Sequence, residues 1–238
     1  MSMPADPAPG ANVPAKNVVL VHGAYADGSS WADVIVLLQQ AGLSVTSVQN
    51  PLTTLDDDVA ATRRALDRQE GPTVLAGHSW GGTVISEAGT HPNVSALVYV
   101  AARGPDADED YGALAARFPT PPGTAGLVHD AGFVQFGEDA FLEDFANGVD
   151  PVRARVLFAV QGPISDTLFA SRTTVAAWRE RPSWYAISTQ DRTTSPELER
   201  FLAERMGATS IEVESGHLSM VTHPREIADL ILAASGRG

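Results

Sequence analysis

Residues 72–89 read PTVLAGHSWGGTVISEAG, and this stretch predicts a buried β-strand, a tight turn and an α-helix in direct succession. Pro72–Ala76 is a short apolar run bounded by glycine, which is typical of a strand buried on both faces. Gly77 and Gly81 flank Ser79, and a turn of this kind packs too tightly for β-carbons at those two positions. We therefore expect a strained strand-to-helix turn that pushes Ser79 clear of the sheet.

The alternation of strand and helix extends to both sides of this stretch. Further short apolar or β-branched runs predict strands at residues 17–21, 44–48 and 94–102. Helical spacing follows the first of these at Trp31–Leu38 and the second at Leu55–Gln69, where Thr54 is the expected N-cap. Alternating units of this kind indicate an α/β fold with a mostly parallel, doubly wound sheet.

The alternation breaks after residue 102. No strand is evident from there to residue 181, and amphipathic segments predict a helical cap inserted over residues 103–170. Strand and helix signals then resume at Ser183–Ser188, Pro196, Ile211–Val213 and Pro224. We therefore expect an extended or disordered segment at 1–16, an α/β core formed by 17–102 and 171–238, and the cap between its two parts.

Composition excludes several classes of function. The 238 residues carry a formal net charge of −13, so nucleic acid and anionic membrane surfaces would repel the chain. There is no cysteine, which excludes disulfides, thiolate metal sites and a cysteine nucleophile. No apolar run reaches the roughly 18 residues that a membrane span needs. The first residues lack the basic start and apolar centre of a secretory signal, so we expect a cytoplasmic location.

A serine hydroxyl is a weak nucleophile at neutral pH and needs an adjacent base. Among the 6 histidines, His217 is the best placed, because it follows the last predicted strand and a parallel sheet brings that strand end to the edge where Ser79 lies. His22 ends the first strand and is interpreted as the organiser of its loop, and His78 is expected to point away from Ser79. Surface or cap positions are expected for His91, His129 and His223.

The base in turn needs a carboxylate that orients its ring. Asp191 follows the predicted strand 183–188 and therefore lies at the same sheet edge as His217. Other carboxylates compete for this role on position alone, namely Glu212, Glu214 and Asp166.

Acyl transfer also needs two N–H donors that face the developing oxyanion. The backbone amides of Trp80, directly after Ser79, and of Ala24, in the loop after the first strand, are the candidates. The side chains of Tyr25, Trp80 and Leu218 are the expected walls of a substrate pocket, whereas Trp178 is expected to pack in the core.

At these positions the chain resembles the α/β-hydrolase superfamily. The segments that carry the resemblance are His22-Gly23-Ala24, Gly28-Ser-Ser-Trp31, Gly77–Gly82 and Gly216-His217. They look like the branch that contains small bacterial carboxylesterases, plant methylesterases, pyrethroid hydrolases and hydroxynitrile lyases. The resemblance implies a triad carried by Ser79, His217 and Asp191, a helical cap over the site, and no cofactor. The lyases of this branch usually carry Lys directly after the histidine, where this chain has Leu218.

The sequence therefore predicts a serine hydrolase that cleaves carboxylic esters of small, largely apolar molecules through an acyl-enzyme on Ser79. Two alternatives remain open at this point. One is a cofactor-free lyase or oxygenase that uses His217 as a base, and the other is a ligand-binding relative without catalysis. No feature of the sequence specifies an oligomeric state.

Overall fold

The computed structural model describes residues 14–237, and a six-stranded sheet runs through the molecule. The strands, in chain order, are β1 Asn17–Val21, β2 Ser44–Val48, β3 Thr73–His78, β4 Val94–Val100, β5 Leu127–Asp130, β6 Phe133–Phe136, β7 Ile164–Ser165, β8 Ser183–Ser188 and β9 Thr209–Val213. The main sheet has the order β2-β1-β3-β4-β8-β9, and each neighbouring pair is parallel. This arrangement confirms the predicted parallel α/β sheet.

The helices pack against this sheet and against one another. They are α1 Ala32–Gln40, α2 Leu55–Leu66, α3 Gly81–Ala88, α4 Tyr111–Ala115, α5 Glu138–Ala140, α6 Pro151–Ala159, α7 Pro196–Met206, α8 Ser219–Thr222 and α9 Pro224–Ala234. Helix α1 contacts α9, and α2 contacts α3, so the flanking helices form two separate groups. Thr54 caps α2 as predicted, because its hydroxyl accepts a 3.1 Å hydrogen bond from the amide of Asp57.

Burial along the strands follows their place in the sheet. Every residue of β1 and β3 is buried, as continuous apolar runs in a parallel sheet require. The two outermost strands, β2 and β9, expose part of their residues, which matches the edge position predicted for Ile211–Val213.

The segment between β4 and β8 differs from the predicted helical cap. Besides α4, α5 and α6 it contains a second, three-stranded antiparallel sheet in the order β5-β6-β7. Strands β5 and β6 are joined by Ala131 and Gly132, which both have positive φ angles of 47° and 83°. The sequence analysis missed this hairpin because its strands have only four residues and are largely exposed. Between the cap and β8, at residues 171–182, the described chain contains the short 3₁₀ turn Ala177–Arg179 and no long helix.

The N-terminal prediction is tested only in part. Residues 1–13 lie outside the described residues. Within the described part, Ala15 is buried, and its amide donates a 2.9 Å hydrogen bond to the carbonyl of Ser235. Ala15 thus packs against the core, and the prediction for the rest of the N-terminal segment stays a prediction. None of the helices within 14–237 has the length and apolar character needed to cross a membrane.

The turn after β3 is held by contacts between backbones. A β-carbon on Gly81 would lie 2.5 Å from the carbonyl oxygen of Val21, at the end of β1. A β-carbon on Gly77 would lie 2.6 Å from the carbonyl oxygen of Gly81. These distances are shorter than any tolerated contact, and no side chain can move aside to relieve them. The two glycines are therefore required where β1, β3 and α3 meet.

We expect Gly81→Ala to lower the free energy of unfolding by about 1–3 kcal/mol, because the added methyl group forces two backbone segments apart. Gly162→Ala is the matched control, since its β-carbon would meet the nearest atom, on Leu52, at an ordinary 3.8 Å. Urea unfolding of both variants measures the effect. Equal stability of the two variants would show that the turn can relax.

Candidate active site

Ser79 lies directly after β3, at the carboxyl edge of the main sheet. Its φ angle is 51°, in the left-handed region that residues with side chains seldom occupy. Its amide donates to the carbonyl of Val100 at 3.2 Å, and its carbonyl accepts from the amides of Gly82 and Arg103, both at 3.0 Å. These bonds hold the strained backbone in place. The side chain lines a cavity of about 270 Å³.

The structure brings Asp191 and His217 together as a buried pair. Their side chains have no exposed surface, and the distance from His217 Nδ1 to Asp191 Oδ2 is 2.5 Å. The other carboxylate oxygen of Asp191 accepts hydrogen bonds from the amides of Thr193 at 2.6 Å and Thr194 at 2.8 Å. Asp191 is thus bound as an acceptor at both oxygens, so Nδ1 of His217 carries the proton. Nε2 of His217 has no hydrogen-bond partner within residues 14–237.

The competing carboxylates are engaged elsewhere. Glu212 pairs with Arg200 at 2.7 Å on the outside of the sheet. Glu214 is exposed and accepts from the side chain of Gln190 at 3.2 Å. Asp166 is an exposed residue of the cap, whose amide donates to the carbonyl of Gly132. Of the four carboxylates that the sequence left open, Asp191 is the one that contacts His217.

Glu199, on α7, lies behind this pair and was missed by the sequence analysis. It is fully buried, and one of its oxygens accepts a 2.9 Å hydrogen bond from the amide of Ser188. Burial, followed by the negative charge of Asp191, raises the pKa of Glu199 well above its usual range. Glu199 therefore holds its proton in the folded protein. The spacing of apolar residues along α7 could have revealed it, because Leu198, Glu199, Leu202 and Ala203 form the buried face of this helix.

His78 also has a role that its position in the sequence concealed. Burial lowers the pKa of His78 well below its usual range, so the ring is neutral. Its Nε2–H donates a 3.0 Å hydrogen bond to the carbonyl of His217, and the two ring centroids lie 4.7 Å apart. The residue before Ser79 thus holds the backbone of the residue that pairs with Asp191.

His22 organises its loop, as predicted. The amide of Asn50 donates to His22 Nε2 at 2.9 Å, so the proton is on Nδ1, which donates to the carbonyl of Gly23 at 2.8 Å. Burial lowers the pKa of His22 and keeps it neutral. The side-chain amide of Asn50 also donates to the His22 carbonyl at 3.2 Å, which joins the loops after β1 and β2.

The predicted pocket walls occupy three different places. Tyr25 lines the cavity beside Ser79. Trp80 does not, because its ring has no exposed surface and its Nε1–H donates to the buried carboxylate of Asp58 at 2.7 Å. Leu218 lines a second, smaller cavity together with Tyr25. The expectation therefore needs correction for Trp80 and Leu218, whereas Trp178 packs in the core and donates to the carbonyl of Pro105 at 2.8 Å.

The backbone amides of Ala24 and Trp80 come from the loop after β1 and from the turn that carries Ser79. Neither amide donates a hydrogen bond to another group in the described part of the chain. Free amides in a buried region are uncommon, because backbone donors away from water normally find an acceptor. They lie next in sequence to Tyr25 and Ser79, which line the cavity.

Arg103 is the second site residue that the sequence analysis missed. It follows β4 and lines the cavity with Ser79, Tyr25 and Tyr111. Its guanidinium carbon lies 4.1 Å from the ring centroid of Tyr111 and 5.0 Å from that of Phe169. Burial lowers the pKa of Arg103 to about 10, which leaves it charged at neutral pH. Most of the residues that line the cavity belong to the cap, and the folding of the cap was the least predictable part of the chain.

The model of the alpha/beta hydrolase family matches residues 18–230. An alpha/beta hydrolase, nvfD, of Aspergillus novofumigatus (strain IBT 16806) is 24% identical in an alignment of 243 positions. The alignment covers 92% of this chain and 96% of that protein.

Solved structures share the whole fold at low sequence identity. Polyneuridine aldehyde esterase is 20% identical with a TM-score of 0.80, over 93% of this chain and 99% of that chain. A methylesterase from Arabidopsis, MES16, is 19% identical with a TM-score of 0.76, over 92% and 98%. A pyrethroid hydrolase from Sphingobium faniae JZ-2 is 18% identical with a TM-score of 0.76, over 93% and 98%. With the family model matching nearly its whole length, the chain belongs to the alpha/beta hydrolase family.

Proposed function

We propose that this protein hydrolyses carboxylic esters of small, largely apolar molecules through an acyl-enzyme on Ser79. The observation that carries the proposal is the buried Asp191–His217 pair, with Nδ1 and Oδ2 at 2.5 Å. It leaves Nε2 of His217 free at the sheet edge where the strained turn presents Ser79. This combination supplies a nucleophile, a base of fixed tautomer and a carboxylate that stabilises the charged ring.

The chemistry follows from this arrangement. His217 Nε2 takes the proton of Ser79 while Oγ attacks the ester carbon, and a tetrahedral intermediate forms. The ring then gives that proton to the departing alkoxide, so the alcohol leaves and an acyl group remains on Oγ. A water molecule gives its proton to Nε2 and attacks the acyl carbon. Collapse of the second intermediate releases the acid and returns the proton to Ser79.

The negative charge of both intermediates develops on the former carbonyl oxygen. The amides of Ala24 and Trp80 are the proposed donors to it, because both lack an acceptor within the described residues. Donors that are already held in place stabilise a charge that appears only along the reaction path. His22 and Asn50 serve this role indirectly, since their hydrogen bonds fix the loop that carries Ala24.

Two further observations support ester hydrolysis and an apolar substrate. Two proteins that share the fold, polyneuridine aldehyde esterase and the Arabidopsis methylesterase, are esterases by name. The cavity beside Ser79 is lined mainly by apolar side chains, among them Leu127, Phe136 and Phe145. Apolar walls of this kind favour substrates whose acyl and alcohol groups are small and mostly uncharged.

We expect Ser79→Ala to reduce kcat on p-nitrophenyl butyrate by about 10⁴-fold or more, because no other group in the cavity replaces the nucleophile. Ser95→Ala is the matched control, since Ser95 lies at the amino-terminal end of β4, away from the carboxyl edge of the sheet where Ser79 lies. A fluorophosphonate probe followed by peptide mass mapping should label position 79 in the wild type only.

Persistent turnover and labelling in Ser79→Ala would refute the proposed nucleophile. Cyanohydrin cleavage that survives this substitution would favour the lyase alternative. Stoichiometric binding without turnover in the wild type would favour the ligand-binding alternative.

Asp191→Asn should reduce kcat by about 10⁴-fold with little change in KM. The amide oxygen would keep the bonds from Thr193 and Thr194, so the amide N–H₂ would face His217 Nδ1. This would force the ring proton onto Nε2, where it blocks the base. Glu214→Gln, at one of the competing carboxylates, should leave kcat within about twofold. Steady-state kinetics of the two variants decide between the positions, and a larger loss at Glu214 would contradict the assignment.

Glu199 allows a prediction about pH and stability. Its pKa is raised in the folded protein, so the folded state holds a proton that the unfolded chain releases above about pH 4.5. Stability is therefore lost as the pH rises, by up to about 1.4 kcal/mol per pH unit for one full proton. Glu199→Gln cannot release a proton, and its gain in unfolding free energy over the wild type should grow from pH 5 to pH 8.

Guanidinium unfolding at four pH values measures this difference. Glu204→Gln, on the exposed face of the same helix, is the control and should follow the wild type at every pH. Parallel curves for Glu199→Gln and the wild type would show that Glu199 is ionised in the folded protein.

A further inference from the structure

The cavity beside Ser79 contains a guanidinium without a carboxylate partner. Arg103 is the one lining residue with a full charge among the described residues around this cavity. No Asp or Glu side chain of the described residues lies within ion-pair distance of it. Its single side-chain hydrogen bond is a long one, 3.4 Å from Nη2 to the carbonyl of Phe169. Its Nε is buried and has no partner.

Two tyrosine hydroxyls that line the same cavity also lack a hydrogen-bond partner in the described structure. Tyr25 and Tyr111 are 4% and 8% exposed, and the hydroxyl of each is buried without a hydrogen-bond partner in the described structure. Burial raises the pKa of both phenols, so each keeps its proton and remains a donor. Both rings line the same cavity as Arg103. Three unsatisfied donors therefore meet in one small volume, against the strong tendency of buried polar groups to be paired.

Packing alone does not account for this cluster. The guanidinium is stacked near the rings of Tyr111, Phe169 and Trp80, at 4.1, 5.0 and 5.2 Å from their centroids. Stacking uses the faces of the ring and of the guanidinium, and it leaves the N–H edge without an acceptor. A planar anion that accepts from the N–H edge and from the two hydroxyls would satisfy all three groups.

The geometry points to a carboxylate subsite formed by Arg103, Tyr25 and Tyr111, so that the ester substrate carries one carboxylate group close to the scissile bond. This inference rests on the proposed ester hydrolysis at Ser79 and narrows its substrate class. The three residues line the same cavity as Ser79, and two of them are linked to the proposed site through the backbone. The amide of Arg103 donates to the carbonyl of Ser79 at 3.0 Å, and Tyr25 directly follows Ala24.

The charge of the whole chain makes the inference easy to test. A net charge of −13 repels anions at long range, so a preference for an anionic ester cannot come from the overall field. It has to come from local groups that the substrate reaches inside the cavity. Arg103, Tyr25 and Tyr111 are the local donors that the structure supplies.

The experiment compares esters that differ only in this charge. The first pair is monomethyl succinate and methyl succinamate, with the anion on the acyl side. The second is 3-acetoxypropanoate and 3-acetoxypropanamide, with the anion on the alcohol side. We expect the ratio of kcat/KM, carboxylate over amide, to be about 10–100 in at least one pair at pH 7.5. Released methanol or acetate is measured at low and at physiological salt.

Variants then assign the preference to the cluster. Arg103→Met keeps the aliphatic stem and should bring the preferred ratio to about 1 or below, while Arg103→Lys retains part of it. Tyr111→Phe and Tyr25→Phe remove single hydroxyls and should each lower the ratio severalfold, which gives a test even if the arginine variant folds poorly. Arg117→Met, at an exposed arginine of the cap, is the matched control and should keep the wild-type ratio.

The outcomes separate this inference from the proposed function. Hydrolysis of the amide-bearing esters with a ratio of 1 or less in both pairs overturns the carboxylate subsite and leaves ester hydrolysis standing. A high ratio that survives Arg103→Met also overturns it. If no ester is hydrolysed, calorimetry with monomethyl succinate decides. Binding by the wild type that Arg103→Met abolishes supports the subsite and refutes the esterase, whereas absence of binding refutes both.

Discussion

The close approach of backbones at the turn after β3 is the constraint on which the rest of the structure depends. Gly81 lies against the carbonyl of Val21, and the carbonyl of Ser79 accepts from the amide of Arg103. One turn thus contacts the end of β1, carries the proposed nucleophile and fixes the first residue of the cap. The two free amides, the serine and the arginine are placed relative to one another by main-chain contacts. Because these contacts join main-chain atoms, the relative positions of the four groups depend little on side-chain conformation.

Around this turn, burial fixes the protonation states of the ionisable groups. His22 and His78 are neutral, Glu199 keeps its proton, and Asp191 accepts from two amides and from His217. The hydrogen bonds of the buried region beside Ser79 therefore converge on the carboxylate of Asp191. In the proposed reaction, a positive charge that appears on His217 would be stabilised by the carboxylate of Asp191, which is already in place. The neutral state of His78 serves the same end, because a second cation 4.7 Å from the His217 ring would oppose protonation of that ring.

The sequence predicted what short-range patterns determine. Continuous apolar runs such as Val18–Val21 identified the parallel strands, and the sheet rule placed Asp191 and His217 at the edge that carries Ser79. It failed where the outcome depends on long-range packing. Nothing near residue 80 shows that the Trp80 side chain turns inward to Asp58, a residue of α2. The strands β5 and β6 of the cap have only four residues each and are largely exposed, so the sequence pattern does not reveal them, and most walls of the cavity could not be assigned.

The missed residues have a common physical origin. Glu199 and Arg103 are charged types that sequence patterns assign to the surface, and each is instead held inside by a specific neighbour. For Glu199 the neighbour is the amide of Ser188, which together with a retained proton lowers the cost of burial. For Arg103 the aromatic rings offset only part of the desolvation of the guanidinium, and the N–H edge stays unpaired. Arg103 is a half-buried cation without a carboxylate partner among the described residues of an acidic protein, and the proposed substrate carboxylate would supply that partner.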